Sequence, residues 1–468
     1  MSTSAGPALP AGARRVHFVG VGGAGMSGIA RILLSRGVFV SGSDAKDSRS
    51  LAALSALGGV MHVGHDAAHV GDVDAVVTSS AIRPSNPEVV EAQRRGIAVL
   101  PRAAALAGVM AGRRGVAIAR THGKTTTTSM LTVALQHCGV DPSFAIGGDL
   151  NEAGSNAHHG TGDLFVAEAD ESDASFLLLS PFAAVVTNVE ADHLDHYGDE
   201  SAVAQAFVDF LRCIDPAGFV VLCADDAGAM RLAYGAPVLV RTYGESPGAD
   251  VRIESLRLDG LGSSFDVVDT GRRLGPVRLA VPGRHNALNA AGALAAGIGL
   301  GLPPALLREG LARYAGVRRR FEFRGEVRGV RVFDDYSHNP SKVRAALLAA
   351  RQVAGTGRVL VVFQPHRYSR TLSFADQLGA SLGLADEVVV MEVYAAGEDP
   401  IPGATGQSVA AAVPLPVERV VFEPSWVAVA GLVAGRVRPG DIVLTMGAGD
   451  VTQLAGEVLT VLRERAPA

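Results

Sequence analysis

Short apolar runs recur along the chain, each followed by a stretch with apolar residues at helical spacing. The first four are V-H-F-V (16–19), V-F-V-S (38–41), A-V-V-T (75–78) and I-A-V-L (97–100). Runs of this length between helical patterns predict buried parallel strands in an α/β fold. The alternation returns at G-V-A-I-A (115–119), L-F-V-A-E (164–168) and A-A-V-V-T-N-V (183–189). It returns again at R-V-L-V-V-F (358–363), E-V-V-V-M-E-V (387–393), R-V-V-F (419–422) and D-I-V-L-T-M (441–446). Three α/β units follow, at 1–107, 108–315 and 316–468, with G-V-M-A-G-R-R-G (108–115) as the linker between the first two. The most apolar stretch, 289–302, is rich in Ala and Gly and ends in Pro-Pro, which predicts a packed helix and not a membrane span.

Bulk properties narrow the class. A chain of 468 residues exceeds what one hydrophobic core serves, so two or three domains are expected. With 48% hydrophobic and 19% charged residues it is globular, and a net charge of −5 with no Lys/Arg-dominated region argues against nucleic acid as a partner. The three cysteines, Cys138, Cys213 and Cys223, show no CxxC spacing, so neither zinc nor a disulfide framework is indicated. The first fifteen residues lack the apolar core of a signal peptide, which points to a cytoplasmic protein without membrane insertion. Nothing here fixes the oligomeric state, and a homo-oligomer stays open.

Two glycine-containing loops carry the first chemistry. The run 16–19 enters G-V-G-G-A-G-M-S-G, with G-x-G-x-x-G at Gly20, Gly22 and Gly25, and Asp44 closes the next strand. Spacing and context match the fingerprint that rests a diphosphate on a helix N-terminus. A nicotinamide dinucleotide or a nucleotide-sugar diphosphate satisfies the same amides, so an NAD-binding oxidoreductase is one reading of this unit. The second loop, A-R-T-H-G-K-T-T-T-T (119–128), has the order strand, tight loop, Gly-Lys-Thr, helix that cradles a polyphosphate. The match is partial. Ile118 stands where G-x-x-x-x-G-K needs glycine, and Arg120 stands where G-T-x-G-K-[ST] needs one. Triphosphate chemistry calls for magnesium, held by oxygen ligands and the phosphates themselves. Thr125 after Lys124, Glu168 at the end of L-F-V-A-E, and His193 after the run 183–189 are the candidate ligands. D-H-L-D-H is also what a helix start with capping aspartates looks like. In the third unit F-D-D-Y-S-H-N-P (333–340) gathers carboxylates, a phenol and an imidazole, and Q-P-H-R-Y-S-R sets Arg367 and Arg370 three apart, where one helical face lets them fork a carboxylate.

Taken in order and spacing, G-V-G-G-A-G-M-S-G, T-H-G-K-T-T-T, E-A-D-E-S-D-A-S-F, D-H-L-D, G-R-H-N-x-x-N, R-R-F-E, D-D-Y-x-H and Q-P-H-R-Y-S-R resemble the Mur ligases, and among them the alanine-adding branch. The resemblance runs from Val16 to beyond Gly447. It implies a Rossmann-like N-terminal domain, a central P-loop ATPase-type domain and a Rossmann-like C-terminal domain. It implies a ligase of peptidoglycan precursor synthesis that activates a carboxylate as an acyl phosphate, with ATP and Mg2+ as cofactors and UDP-N-acetylmuramate and L-alanine as partners. Lys124, Glu168, His193 and His338 would be catalytic, and Thr125, Glu168 and His193 would hold the metal, with Glu171 the substitute acid. ATP would contact Arg120, Thr121, His122, Gly123, Lys124, Thr125 and Thr126, with His285, Asn286 and Asn289 at the adenine and Arg320 and Asp335 closing over the nucleotide. The acceptor would lie on Gly22, Gly23 and Gly25 near Asp44, Ser79, Ser80 and Ala81. Tyr336, His338, Arg367 and Arg370 would face the amino acid. Two related readings remain: a recycling ligase that joins a preformed peptide to the same acceptor, and a variant whose ATP use is impaired by Arg120.

Overall fold

A computed structural model of the chain describes residues 9–10, 12–79, 81–119, 123–148, 155–190 and 194–465, the side chains of 194 and 195 excepted. The chain divides into two compact units. The first comprises 1–255, 265–278 and 288–315, and the second 256–264, 279–287 and 316–468.

Within the first unit, a five-stranded sheet runs in the order Val60–Val63, Phe39–Asp44, Arg15–Val19, Ala75–Thr78, Ala98–Pro101, and every neighbouring pair is parallel. Strand order therefore reverses beside Arg15–Val19, the place where an open α/β sheet leaves a crevice beyond its carboxyl ends. A second sheet has ten strands, and its parallel part places Arg114–Ala119 between Ala183–Val186 and Leu164–Ala169. The strands Ala183–Val186 and Phe219–Cys223 are buried at every position. Unbroken apolar runs of this kind, without alternation, are what a parallel sheet covered on both faces requires. Residues 108–115, expected as a linker, are mostly regular: one helix extends to Met110 and the next strand starts at Arg114. Apolar burial of Val109 and Met110 extends the helix past Gly108.

The Ala-rich stretch forms the helix Arg284–Gly299. Its glycines allow close packing inside the first unit. A Cβ at Gly292 would lie 2.9 Å from the Tyr243 ring, and one at Gly297 would lie 2.5 Å from Leu307 Cδ2.

The second unit is built on a six-stranded sheet, in the order Glu322–Val327, Val330–Asp335, Ile442–Met446, Val359–Phe363, Glu387–Val390, Val420–Phe422. Only its first pair is antiparallel. Apolar cores cover both faces, one including Leu347, Phe363 and Leu444 and the other Val362, Val443 and Leu454.

One buried polar cluster stands out in the first sheet. Glu88, on the helix Pro87–Arg94, is fully buried. It accepts from the Ser43 hydroxyl, from His69 Nδ1 at 2.9 Å and from the Asp66 amide at 3.3 Å, with His17 Nε2 at 3.5 Å. Burial pulls its pKa upward, but the contacts from His17, Ser43 and His69 outweigh this and hold it at about 2. A carboxyl depressed in the folded state contributes stability that is present above its unfolded pKa near 4.5 and is lost as pH falls towards 2. Glu88→Gln is therefore expected to lower stability by about 1–3 kcal/mol at pH 7. Denaturant titrations should show the gap to the parent chain narrowing as pH drops below 4.5. A gap that stays constant down to pH 3 would mean that ionised Glu88 is not the stabilising species.

Candidate active site

The strand Arg15–Val19 ends at the glycine loop. Gly20 turns at φ +81°, in the left-handed region that glycine enters without penalty, and the helix Ala24–Ser35 begins with no side-chain cap. Its first N–H groups are thus offered to a ligand by the backbone. Asp44 Oδ2 accepts from the Gly22 amide at 2.9 Å, so this acid braces the loop itself. A Cβ at Gly22 would lie 2.8 Å from that same oxygen, which fixes glycine there. Ser79 lies across the reversal of strand order, its Cβ 3.4 Å from where a Gly20 Cβ would be, and its Oγ accepts from the Ala81 amide at 3.3 Å. Ser80 lies outside the described residues.

The second loop leads into the helix Lys124–His137, with Gly123 as N-cap at φ 81°, ψ 26° and no side-chain cap. Thr125 and Thr126 are buried. Along this Thr-rich helix, hydroxyls turn back to carbonyls one turn earlier: Thr128 to Lys124 at 2.8 Å and Ser129 to Thr125 at 2.6 Å. Arg120, Thr121, His122 and His193 lie outside the described residues.

Acids beyond the strand Leu164–Ala169 decide the electrostatics. The Lys124 ammonium pairs closely with Glu171 and sits 3.5 Å from Asp170 Oδ1. Asp170 Oδ2 in turn accepts from Arg102 Nη2 at 2.8 Å. Burial works against the charge on Lys124, but Glu171 and Asp170 outweigh it and raise its pKa. Burial raises the pKa of Glu171 and is only partly countered by Lys124, whereas the flanking cations Lys124 and Arg102 hold Asp170 low against burial. Glu168, expected to hold metal, accepts from the Gly147 amide at 2.7 Å and lines a cavity of about 20 Å³ with Gly25, Arg102 and Gly147. The acid brought to Lys124 is Glu171. Thr125 and these carboxylates offer the hard oxygen donors magnesium takes. Among the described residues, no group of three or more His, Cys, Asp or Glu side chains converges on one metal position.

His285, Asn286 and Asn289 occupy the first turns of the helix Arg284–Gly299, with Asn286 Nδ2 donating to the Pro282 carbonyl at 2.7 Å.

In the second unit the strand Val330–Asp335 delivers its acids to the loop that follows. Asp335 is buried and accepts from the amides of Phe321 and Ser337, both at 2.8 Å. Burial raises its pKa despite the Ser337 hydrogen bond and the charge of Arg320. The Tyr336 ring is flanked by the guanidinium carbons of Arg319 at 4.9 Å and Arg320 at 5.1 Å. His338 Nδ1 lies 2.7 Å from the Tyr336 carbonyl. A carbonyl only accepts, so Nδ1 carries the proton and Nε2 is left as an acceptor. Burial pushes the His338 pKa well down, so the ring is neutral at pH 7.

Arg367 and Arg370 do not share a helical face. Arg367 is the N-cap of the helix Tyr368–Leu382 at φ 71°, ψ 134°, and only Arg370 is helical. Arg367 Nε pairs with Glu398 Oε1 at 2.9 Å, while Arg370 Nη1 is 3.3 Å from His366 Nδ1. His366, Tyr394 and Glu398 were not singled out from the sequence, nor were Arg102 and Asp170. His366 stacks on Tyr394 at 5.7 Å, and burial beside Arg370 and Arg367 lowers its pKa to about 4. It stood inside Q-P-H-R-Y-S-R, so its motif was the signal; Glu398 and Arg102 come from segments that no motif covered.

Comparison with known proteins completes the picture. The descriptions "Mur ligase family, catalytic domain", "Mur ligase middle domain" and "Mur ligase, glutamate ligase domain" match residues 15–114, 118–297 and 319–449. The UDP-N-acetylmuramate--L-alanine ligase of Acidothermus cellulolyticus is 62% identical over 96% of this chain and 95% of its own. The crystal structure of the UDP-N-acetylmuramate-alanine ligase from Thermotoga maritima matches at 29% identity with a TM-score of 0.80, over 96% of this chain and 99% of that one. A murein peptide ligase from Psychrobacter arcticus, at 24% identity and a TM-score of 0.73 over 97% and 100%, shares the fold. Nothing in these matches supports an oxidoreductase built on the first glycine loop. With three successive domains of one family covering most of its length, this chain is a member of the Mur ligase family.

Proposed function

We propose that this chain uses ATP to join L-alanine to UDP-N-acetylmuramate through an acyl phosphate. The name of the 62% identical relative supports L-alanine as the amine donor, and a recycling ligase is the weaker reading. The observation that carries the ATP half is Lys124, set directly after a left-handed glycine at an uncapped helix N-terminus and beside buried Glu171. Such an ammonium neutralises charge on a transferring phosphoryl group, and the helix N-terminus adds its amides. Thr125 and Glu171 would hold Mg2+, with His193 as a further ligand; the metal supplies charge neutralisation at the phosphates. Gly22, Gly23 and Gly25 would carry the acceptor diphosphate. In the second unit, Arg367 and Arg370 would bind the amino-acid carboxylate, and the neutral Nε2 of His338 would accept a hydrogen bond from the amine.

ATP-dependent phosphate release with UDP-N-acetylmuramate tests the reading directly. L-alanine should support turnover well above glycine, L-serine or D-glutamate. Turnover with a preformed tripeptide but not with L-alanine would replace this function by recycling.

The Arg367 contact gives a second test. Losing a charge-assisted hydrogen bond to a carboxylate costs about 1.5–3 kcal/mol, so Arg367→Ala should raise the KM for L-alanine roughly tenfold or more and leave that for ATP close to the parent value. An unchanged alanine KM would leave Arg367 with a structural role only.

Arg120 tempers the activity we assign. Arg120 lies outside the described residues, and from the sequence alone a Cβ and a long side chain where G-T-x-G-K has glycine would be expected to obstruct the phosphates. Arg120→Gly is expected to tighten the Kd for ATP and raise kcat, with binding of UDP-N-acetylmuramate unchanged. Equal values in both chains would show that the loop tolerates arginine.

A further inference from the structure

Arg102 belongs to the part of the chain that carries the acceptor loop, on the first turn of the helix Arg102–Met110. Its side chain packs against the third glycine of that loop, since a Cβ at Gly25 would be 2.7 Å from Arg102 Nη1. The other end of the same fork donates to Asp170 Oδ2 at 2.8 Å, and Asp170 Oδ1 is 3.5 Å from the Lys124 ammonium. Asp170 therefore bridges two cations, hydrogen-bonded to Arg102 at 2.8 Å and in a longer ion pair with Lys124 at 3.5 Å. Both side chains of the Arg102–Asp170 pair are about one-third exposed or less, so solvent screens their interaction only in part.

We infer that Arg102 is a positioning residue for ATP: by holding Asp170, it keeps that carboxylate from closing further on Lys124 and so weakens one of the protein's holds on the ammonium. The inference rests on Lys124 being the phosphate ligand. Lys124 already pairs with Glu171, so any phosphate must compete for it with acids of the protein. Without the guanidinium, Asp170 is drawn towards the remaining cation beside it, and the competition becomes harder. Gly25 is part of the same device. A larger residue there would displace Arg102 from Asp170, so the third glycine serves the ATP site as well as the turn of its own loop.

The test is a double-mutant cycle read by ATP binding and by the separate KM values for ATP and for the UDP-linked acceptor. Arg102→Ala should raise the Kd and KM for ATP roughly three- to tenfold, the range of coupled charge pairs, although Arg102 lies outside the phosphate loop. Asp170→Asn removes the competing charge, so adding it to Arg102→Ala should return ATP affinity to within about twofold of Asp170→Asn alone. A purely structural loss from Arg102→Ala would not be rescued by that second change. The relay is overturned if Arg102→Ala leaves ATP binding unaltered, if the double variant keeps the full defect, or if only the acceptor KM rises, which would make Arg102 an acceptor ligand. Lys124→Met separates this failure from failure of the site assignment. Normal ATP binding in that variant removes both the assignment and the relay; lost binding beside a flat Arg102 response removes the relay alone.

Discussion

A buried ammonium needs carboxylates, and the way Lys124 meets that need organises the central site. Its partners, Glu171 and Asp170, follow the strand Leu164–Ala169, which pairs in parallel with the strand that feeds the phosphate loop. Parallel pairing brings the carboxyl ends of both strands to one edge, so a lysine at residue 124 and acids at 170 and 171 meet without any nearness in sequence. The cluster carries nearly balanced charge, which lets it persist in a buried setting. The acids hold the ammonium at the edge where the two strands end.

What the sequence revealed was local, and what it hid was geometric. The glycine fingerprint and Asp44 were readable because the turn, the helix start and the acid recur at fixed offsets; the structure adds that Asp44 reaches the Gly22 amide. Gly-Lys-Thr was readable for the same reason, even with Arg120 in the wrong place. The choice between Glu168 and Glu171 was not. Both acids stand within four residues, one on the strand and one past its end at Ala169, and only side-chain direction separates them. Arg102 and Asp170 are 68 residues apart, on elements joined only by the tertiary fold.

The reading of Arg367 and Arg370 as neighbours on a helix shows a different limit. Spacing of three implies a shared face only if both residues are helical, and here the helix begins at Tyr368. The cap residue turns its backbone to positive φ and sends its guanidinium to Glu398, a partner from a segment with no periodic pattern. Sequence singled out the two arginines as a fork on one helical face, and the structure does not place them on one. Sequence could not give their directions, which depend on where one helix starts.

Gly123 and Arg367 show two solutions to one backbone problem. Both cap a helix at positive φ, at 81° and 71°. At Gly123 the residue is glycine, which enters this region at no cost in strain. At Arg367 a residue with a Cβ adopts the same region, at a strain of about 1–3 kcal/mol. The surroundings over-determine that geometry: the Arg367 amide donates to the Tyr394 carbonyl at 2.9 Å, its carbonyl accepts from the Thr371 hydroxyl at 2.8 Å, and Glu398 holds the guanidinium. Glycine meets the requirement without strain, and at Arg367 neighbouring contacts hold a residue that would otherwise avoid it.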